Sequence, residues 1–229
     1  MVMALADVKV KEDDNQQLCD DLRASLAFHP NVLLEGEQAF DSEDSPLSSL
    51  AEVVYTYGAL PEGLAIEVIT RVAHVLSNLH SFPLLMGDSL EAGNILLDES
   101  GTVKLRIPTE VFDVGVKKST HGMSGVTMLP AIQIRESQQQ AIERDIRLLG
   151  ALFCFALFGE DATPLQQLDL RQLETTWEHE SNSLPEGKPS AFKSLIWRMI
   201  RAGYAEGYRD MQTVVIDLWE LGIVSFSHK

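Results

Sequence analysis

Cysteine is nearly absent from this chain: Cys19 and Cys154 are the two among 229 residues. Thiols so few and so far apart do not make a disulfide framework, and they point to a reducing compartment. Basic residues are scarce as well, with 18 Lys and Arg against 34 Asp and Glu, a formal charge of -16. Nothing in that balance neutralises a row of phosphates, so nucleic acid is excluded as the expected partner, and an anionic membrane surface repels the chain. Long hydrophobic runs are missing too. The longest, Leu148 to Phe158, is too short to span a bilayer, and the opening Met1 to Asp7 is too short for a signal-peptide core. No Asn-x-Ser/Thr acceptor occurs. The expectation is a cytoplasmic protein without membrane insertion.

The six histidines form no zinc spacing with either cysteine, and Gly-x-Ser-x-Gly does not occur. No metal or cofactor is expected. Apolar residues make up 45% and charged residues 23%, the profile of one soluble globular domain. The acid is uneven: residues 1–50 carry eleven Asp or Glu against three Lys or Arg. Residues 1–15 read as a flexible acidic segment and 16–229 as a single domain. A basic partner surface is the natural complement of that charge.

Periodicity makes the domain mainly α with a small β-hairpin, an α+β class. Leu18, Cys19, Leu22 and Leu26 share one face of a helix over Gln16–Phe28, which His29-Pro30 stops. Val32-Leu33-Leu34 is a short buried strand, and the acidic stretch Asp41 to Pro46 a loop. A helix from about Ser48 to Tyr55 closes at Gly58. The clearest amphipathic stripe is Ile66, Ile69, Ala73, Leu76 and Leu79, within a helix over Glu62–Ser81. Ile95-Leu96-Leu97 and Val103-Lys104-Leu105 flank Asp98-Glu99-Ser100-Gly101, the pattern of a hairpin. Residues 108–140 read as one long irregular segment. Ala141–Phe158 reads as a helix buried all round, and further helices fall near Leu165–Trp177, Phe192–Met199 and Asp210–Leu221. Asp210 is placed to cap the last and Gly222 to end it. Trp177, Trp197 and Trp219 lie on predicted helices, where burial is the expectation.

The order of these elements, with certain residues, resembles the C-terminal lobe of the protein kinase family. His29-Pro30-Asn31 looks like the turn after helix C, Ser49-Leu50-Ala51-Glu52 like the start of helix D, and Leu79-His80-Ser81 like the end of helix E. Asn94-Ile95-Leu96-Leu97-Asp98 followed by Gly101-Thr102-Val103-Lys104-Leu105 is similar to the catalytic-loop exit and its two strands. Asp145-Ile146 with Leu149-Gly150 looks like the head of helix F, and Arg209 resembles the arginine before the final helix. The resemblance runs from about residue 17 to 221. It implies that 16–47 are a vestigial helix C and N-lobe remnant, and that Asp145 and Arg209 are structural residues. Asp145 would hold the catalytic-loop backbone.

The same resemblance shows what the chemistry lacks. About 15 residues precede the helix-C-like segment, with no glycine among them and no lysine in a strand context, so the resemblance implies no phosphate-holding parts in these residues. Asp20 stands roughly where helix C offers a glutamate. Anchored on Leu90 and Asn94, the family's His-Arg-Asp-Leu loop becomes Gly87-Asp88-Ser89-Leu90, which puts a hydroxyl at Ser89 in place of the general base. Sliding the loop by one residue restores Asp88 but breaks the spacing to Leu90 and Asn94. The magnesium-holding Asp-Phe-Gly becomes Ile107, Pro108 and Thr109, and isoleucine offers no oxygen to a hard cation. Asp113-Val114-Gly115 is a displaced look-alike, and Ala-Pro-Glu decays to Leu129-Pro130-Ala131, leaving Arg209 without its usual glutamate.

The expectation is a catalytically inactive, pseudokinase-like interaction or scaffold module, similar to the kinase non-catalytic C-lobe modules. Its partner would be a protein or peptide, basic or amphipathic and helical. Loop 87–94 and segment 108–135 are candidate rims of the groove. Two alternatives stand: a divergent kinase with an atypical ATP site using Asp88 and Asp113, and a C-lobe subunit completed by another chain.

Overall fold

A short polar side chain meeting an apolar run starts the first full helix among the described residues. Ser49 accepts from the Glu52 amide at 3.1 Å, and the Glu52 carboxylate accepts from the Ser49 amide at 2.8 Å. This reciprocal cap starts helix α1, Leu50–Tyr57. The same bonds from Ser49, chiefly its backbone, hold the Glu52 carboxyl below its ordinary range. Gly58 ends the helix at φ 81°, a conformation that side chains with a Cβ resist.

The computed structural model describes residues 24, 26, 29–35, 47–82, 84–98, 101–113, 131–159 and 190–226. Ala24 and Leu26 are helical, and Leu26 is buried. The rest of the predicted helix 16–28 with Asp20, the acidic segment 1–15, the loop Asp41–Pro46 and the helix near Leu165–Trp177 lie outside these residues.

The described elements are mainly helical with a small sheet. Strand β1 is Val32–Leu34 and β2 is Ser48–Ser49. Helix α2 covers Glu62–Ser81, β3 Ile95–Leu97 and β4 Val103–Ile107. Helix α3 is the single turn Glu110–Asp113, α4 is Ala131–Phe158, α5 Ser190–Ile200 and α6 Met211–Phe226. The sheet order is β1-β4-β3-β2. β3 and β4 form the hairpin, with Ile95 opposite Leu105, and β1 joins β4 in parallel with Leu34 opposite Ile107. Asn31 ties that edge further by donating its amide to Val103 O at 2.7 Å.

Helix α2 is the axis of the core. All five residues of its predicted stripe are buried, and the helix packs on α4 and α6. From Ile146 to Ala156, α4 is buried nearly all round, including the Cys154 side chain. Burial on every side explains why this stretch carries apolar residues without a polar stripe.

Four expectations are corrected. Ser48 and Ser49 are extended and pair with Leu97 and Leu96, so the helix starts at Leu50; the cap at Ser49 requires non-helical backbone there. Residues 131–140 belong to α4 rather than to an irregular segment, because a polar sequence rich in Gln, a good helix former, shows no apolar stripe. Gly222 lies inside α6, which continues to Phe226. Trp219 is solvent-exposed rather than buried.

Candidate functional site

The loop between α2 and β3 is pinned from below. Leu84, Met86 and Leu90 are buried, and Phe82 and Leu84 amides both donate to Leu79 O, closing the end of α2. Asp145, projecting from α4 and fully buried, receives the loop. Its Oδ1 accepts from the Gly87 amide at 2.8 Å, and its Oδ2 from the Met86 amide at 3.1 Å and from His80 Nε2 at 2.9 Å. Three N–H donors supply what water would otherwise give a buried carboxylate. Because Nε2 is the donor, His80 is held with Nδ1 as its other ring nitrogen, and that atom is buried without a partner.

One residue earlier on α4, Arg144 reaches out of the core to the Asp88 carboxylate. Asp88 is 86% exposed and Arg144 half-exposed, so α4 grips the loop twice, once in the interior and once at the surface. Ser89 stands next in the loop, its amide bonded to Met86 O and its carbonyl accepting from Asn94 Nδ2 at 3.0 Å. Asn94 also approaches Glu91 Oε1 at 3.5 Å. The Asn94 amide group therefore closes its own loop.

The hairpin brings the second predicted motif beside the first, since Ile95 directly after Asn94 pairs with Leu105, two residues before Ile107. Ile107 is fully buried at the end of β4, with its carbonyl accepting from the Glu35 amide at 3.1 Å. Pro108 and Thr109 then turn the chain into α3. The Glu35 carboxylate accepts from the Thr109 amide at 3.0 Å and lies 3.3 Å from its hydroxyl. Asp113 ends α3, and Val114 and Gly115 lie outside the described residues. Ile107 sets a branched alkyl group inside the core and offers no oxygen, which a hard cation such as magnesium needs.

Arg209 lies on the far side of α4. Its guanidinium donates to Glu143 Oε1 at 3.1 Å, and its carbonyl accepts from Gln139 Nε2 at 2.6 Å. Gln139 also donates to Glu143 at 3.1 Å, and Arg147 to Ala202 O at 2.7 Å. Sequence reasoning assigned Arg209 no carboxylate; Glu143 is one. The readable signal is the four-residue ladder Gln139, Glu143, Arg147 on one face of α4. Gly203, at φ 90°, lies so close that a Cβ there would fall 2.5 Å from Glu143 Oε2. Beside it, buried Tyr208 donates to Asp217 at 2.5 Å beneath the Arg198 guanidinium, 4.0 Å from the ring centroid. Burial, then the Asp217 bond, push its hydroxyl well above the ordinary tyrosine value.

No family model matches the chain. In sequence it is 30% identical over 112 residues to the serine/threonine-protein kinase PknA of Corynebacterium glutamicum, covering 45% of this chain and 22% of that protein. It is 37% identical over 71 residues to the serine/threonine-protein kinase drp72 of Corynebacterium efficiens, covering 31% of this chain and 12% of that protein. The chain thus spans about a fifth or less of the length of these relatives. A crystal structure of Rad53 1-466 in complex with AMP-PNP superposes with a TM-score of 0.47 at 16% identity, over 75% of this chain and 44% of that one. No described helix is long and apolar enough to cross a membrane. The chain is similar in part to serine/threonine-protein kinases, and that similarity supports a kinase-like fold.

Proposed function

We propose that this chain is a noncatalytic, pseudokinase-like module of the C-lobe type that binds a protein or peptide partner. The observation that carries the reading is Ile107, buried in the core where the family's metal-holding carboxylate falls. Three further arrangements support it. Asn94 bonds its own loop, Asp88 is paired with Arg144, and Glu35 is engaged with Thr109. Each of these three side chains already has a neighbour within the chain. What the fold does hold firmly is shape: a loop fixed by Asp145 and a hairpin sealed to β1. Rigid surface of that kind suits recognition. A reducing, cytoplasmic setting and a basic partner follow from the cysteine count and the charge of -16.

Magnesium with ATP should leave the Tm of the purified chain unchanged, and no labelled phosphate should move from ATP to the chain or to a generic basic substrate. A saturable rise in Tm, with transfer abolished by Asp88→Asn, would establish the alternative of a divergent kinase. The exposure of the Asp88 carboxylate beside the anchored Met86 and Gly87 amides is the observation that favours that alternative.

A further inference from the structure

Helix α6 is apolar on two sides, and one of them is covered. Met211, Val214, Leu218 and Leu221 are buried, and the helix packs on α2. Ile216 and Trp219 sit three residues apart, neighbours on the opposite side, and remain 51% and 57% exposed. A helix with apolar side chains on its outer as well as its inner face leaves surface to be covered, and an exposed Trp beside an aliphatic residue is the makeup of an interface anchor.

Charge decides between the possible occupants. Residues 211–226 contain Asp217 and Glu220 and no Lys or Arg. Asp217 already accepts from Arg198 at 2.6 Å and from Tyr208. Glu220 is exposed next to Trp219. A second copy of the chain would set Glu220 against Glu220 and one charge of -16 against another. We infer that the outer face of α6, centred on Ile216 and Trp219, docks an amphipathic helical segment with basic flanks. Its apolar residues lie on the Trp–Ile pair and a Lys or Arg meets Glu220. This rests on the partner-binding reading above and gives it a location.

The test is to pan a displayed library of helical peptides of about 18 residues against the full chain, with I216S/W219S as a parallel bait. Both substituted side chains already face water, so circular dichroism should report an unchanged fold and Tm for that variant. Enriched peptides should carry apolar residues three and four apart between Lys or Arg flanks. They should bind I216S/W219S at least about tenfold more weakly, and Glu220→Lys should abolish the preference for basic flanks. Peptides that bind both baits equally would overturn the α6 site while leaving a partner-binding module in place. Enrichment of none would overturn both. A dimer in sedimentation equilibrium that I216S/W219S abolishes would give this face to a second copy and overturn the inference as well.

Discussion

Arg209 meets Glu143 at 3.1 Å, joining the loop before α6 to a carboxylate that is 9% exposed on α4. Removing the arginine takes the cation from a carboxylate in a low-dielectric setting and leaves the Gln139 amide beside it. Arg209→Ala should therefore destabilise the fold by about 2 kcal/mol, and Glu143→Ala by a similar amount. The double variant should lose clearly less than the sum, which urea unfolding of the three proteins measures.

Gly203 offers an independent probe of the same corner. Alanine there meets both the strained φ of 90° and the Glu143 carboxylate, so Gly203→Ala should lower stability by about 1–3 kcal/mol. A neutral outcome would mean that Glu143 sits elsewhere.

Asp145, which anchors the loop from α4, and Asp88, which sits on that loop, make a contrasting pair of carboxylates. Asp145→Asn keeps the volume but places an amide nitrogen against amide donors, and should cost about 2–4 kcal/mol. Hydrogen exchange at the Met86 and Gly87 amides should quicken with it. Asp88→Ala breaks a surface pair with Arg144 and should shift stability by less than about 0.5 kcal/mol.

Restoring a metal ligand by Ile107→Asp should not yield an enzyme. The side chain is fully buried at the end of β4, where that strand pairs with β1, so a carboxylate there would be taken out of water. Loss of about 3–5 kcal/mol, seen as a large drop in Tm, is the expected result. Retained stability together with magnesium binding would contradict it.

Acid should loosen the turn at His29. Its Nδ1 accepts from the Asn31 amide at 3.2 Å, a bond that protonation removes. Burial, and then His74, hold its pKa below the ordinary 6.5. The unfolded chain therefore takes the proton first: stability is complete above about pH 6.5 and falls as the pH drops through that value towards the lowered one. Glu52 acts in a lower window, since its depressed pKa makes its contribution fail as the pH falls below the ordinary carboxylate value of 4.5. Comparing Tm at a series of pH values for wild type and His29→Asn separates the two, because the substitution should flatten the upper part of the curve.

The sequence made some of this legible and hid the rest for physical reasons. The stripe from Ile66 to Leu79 sits on a helix half-covered by α4 and α6, so its period of 3.6 survives in the residues. The hairpin was readable because Gly101, at φ 84°, marks its turn. Ser48–Ser49 was not, because two residues become a strand through pairing with Leu96 and Leu97, a partner some 48 positions away. Glu143 hid among the many polar residues of the first half of α4, and its burial depends on the distant Gly203 and Arg209. At the candidate site, the placement of Ser89 and Ile107 one strand apart followed from the readable hairpin. Arg144 reaching Asp88 and Glu35 engaging Thr109 could not be read, since both pairings cross between elements.

The packing of α2 on α6 carries a consequence for synthesis. Helix α2 ends at Ser81 and α6 begins at Met211, so a ribosome adding about 5–20 residues per second delivers the second surface roughly 7–26 seconds after the first. Throughout that interval the nascent polypeptide holds one of its greasiest helices without its cover. Chaperone engagement should peak while residues beyond Ser81 are emerging and end once Phe226 has cleared the exit tunnel.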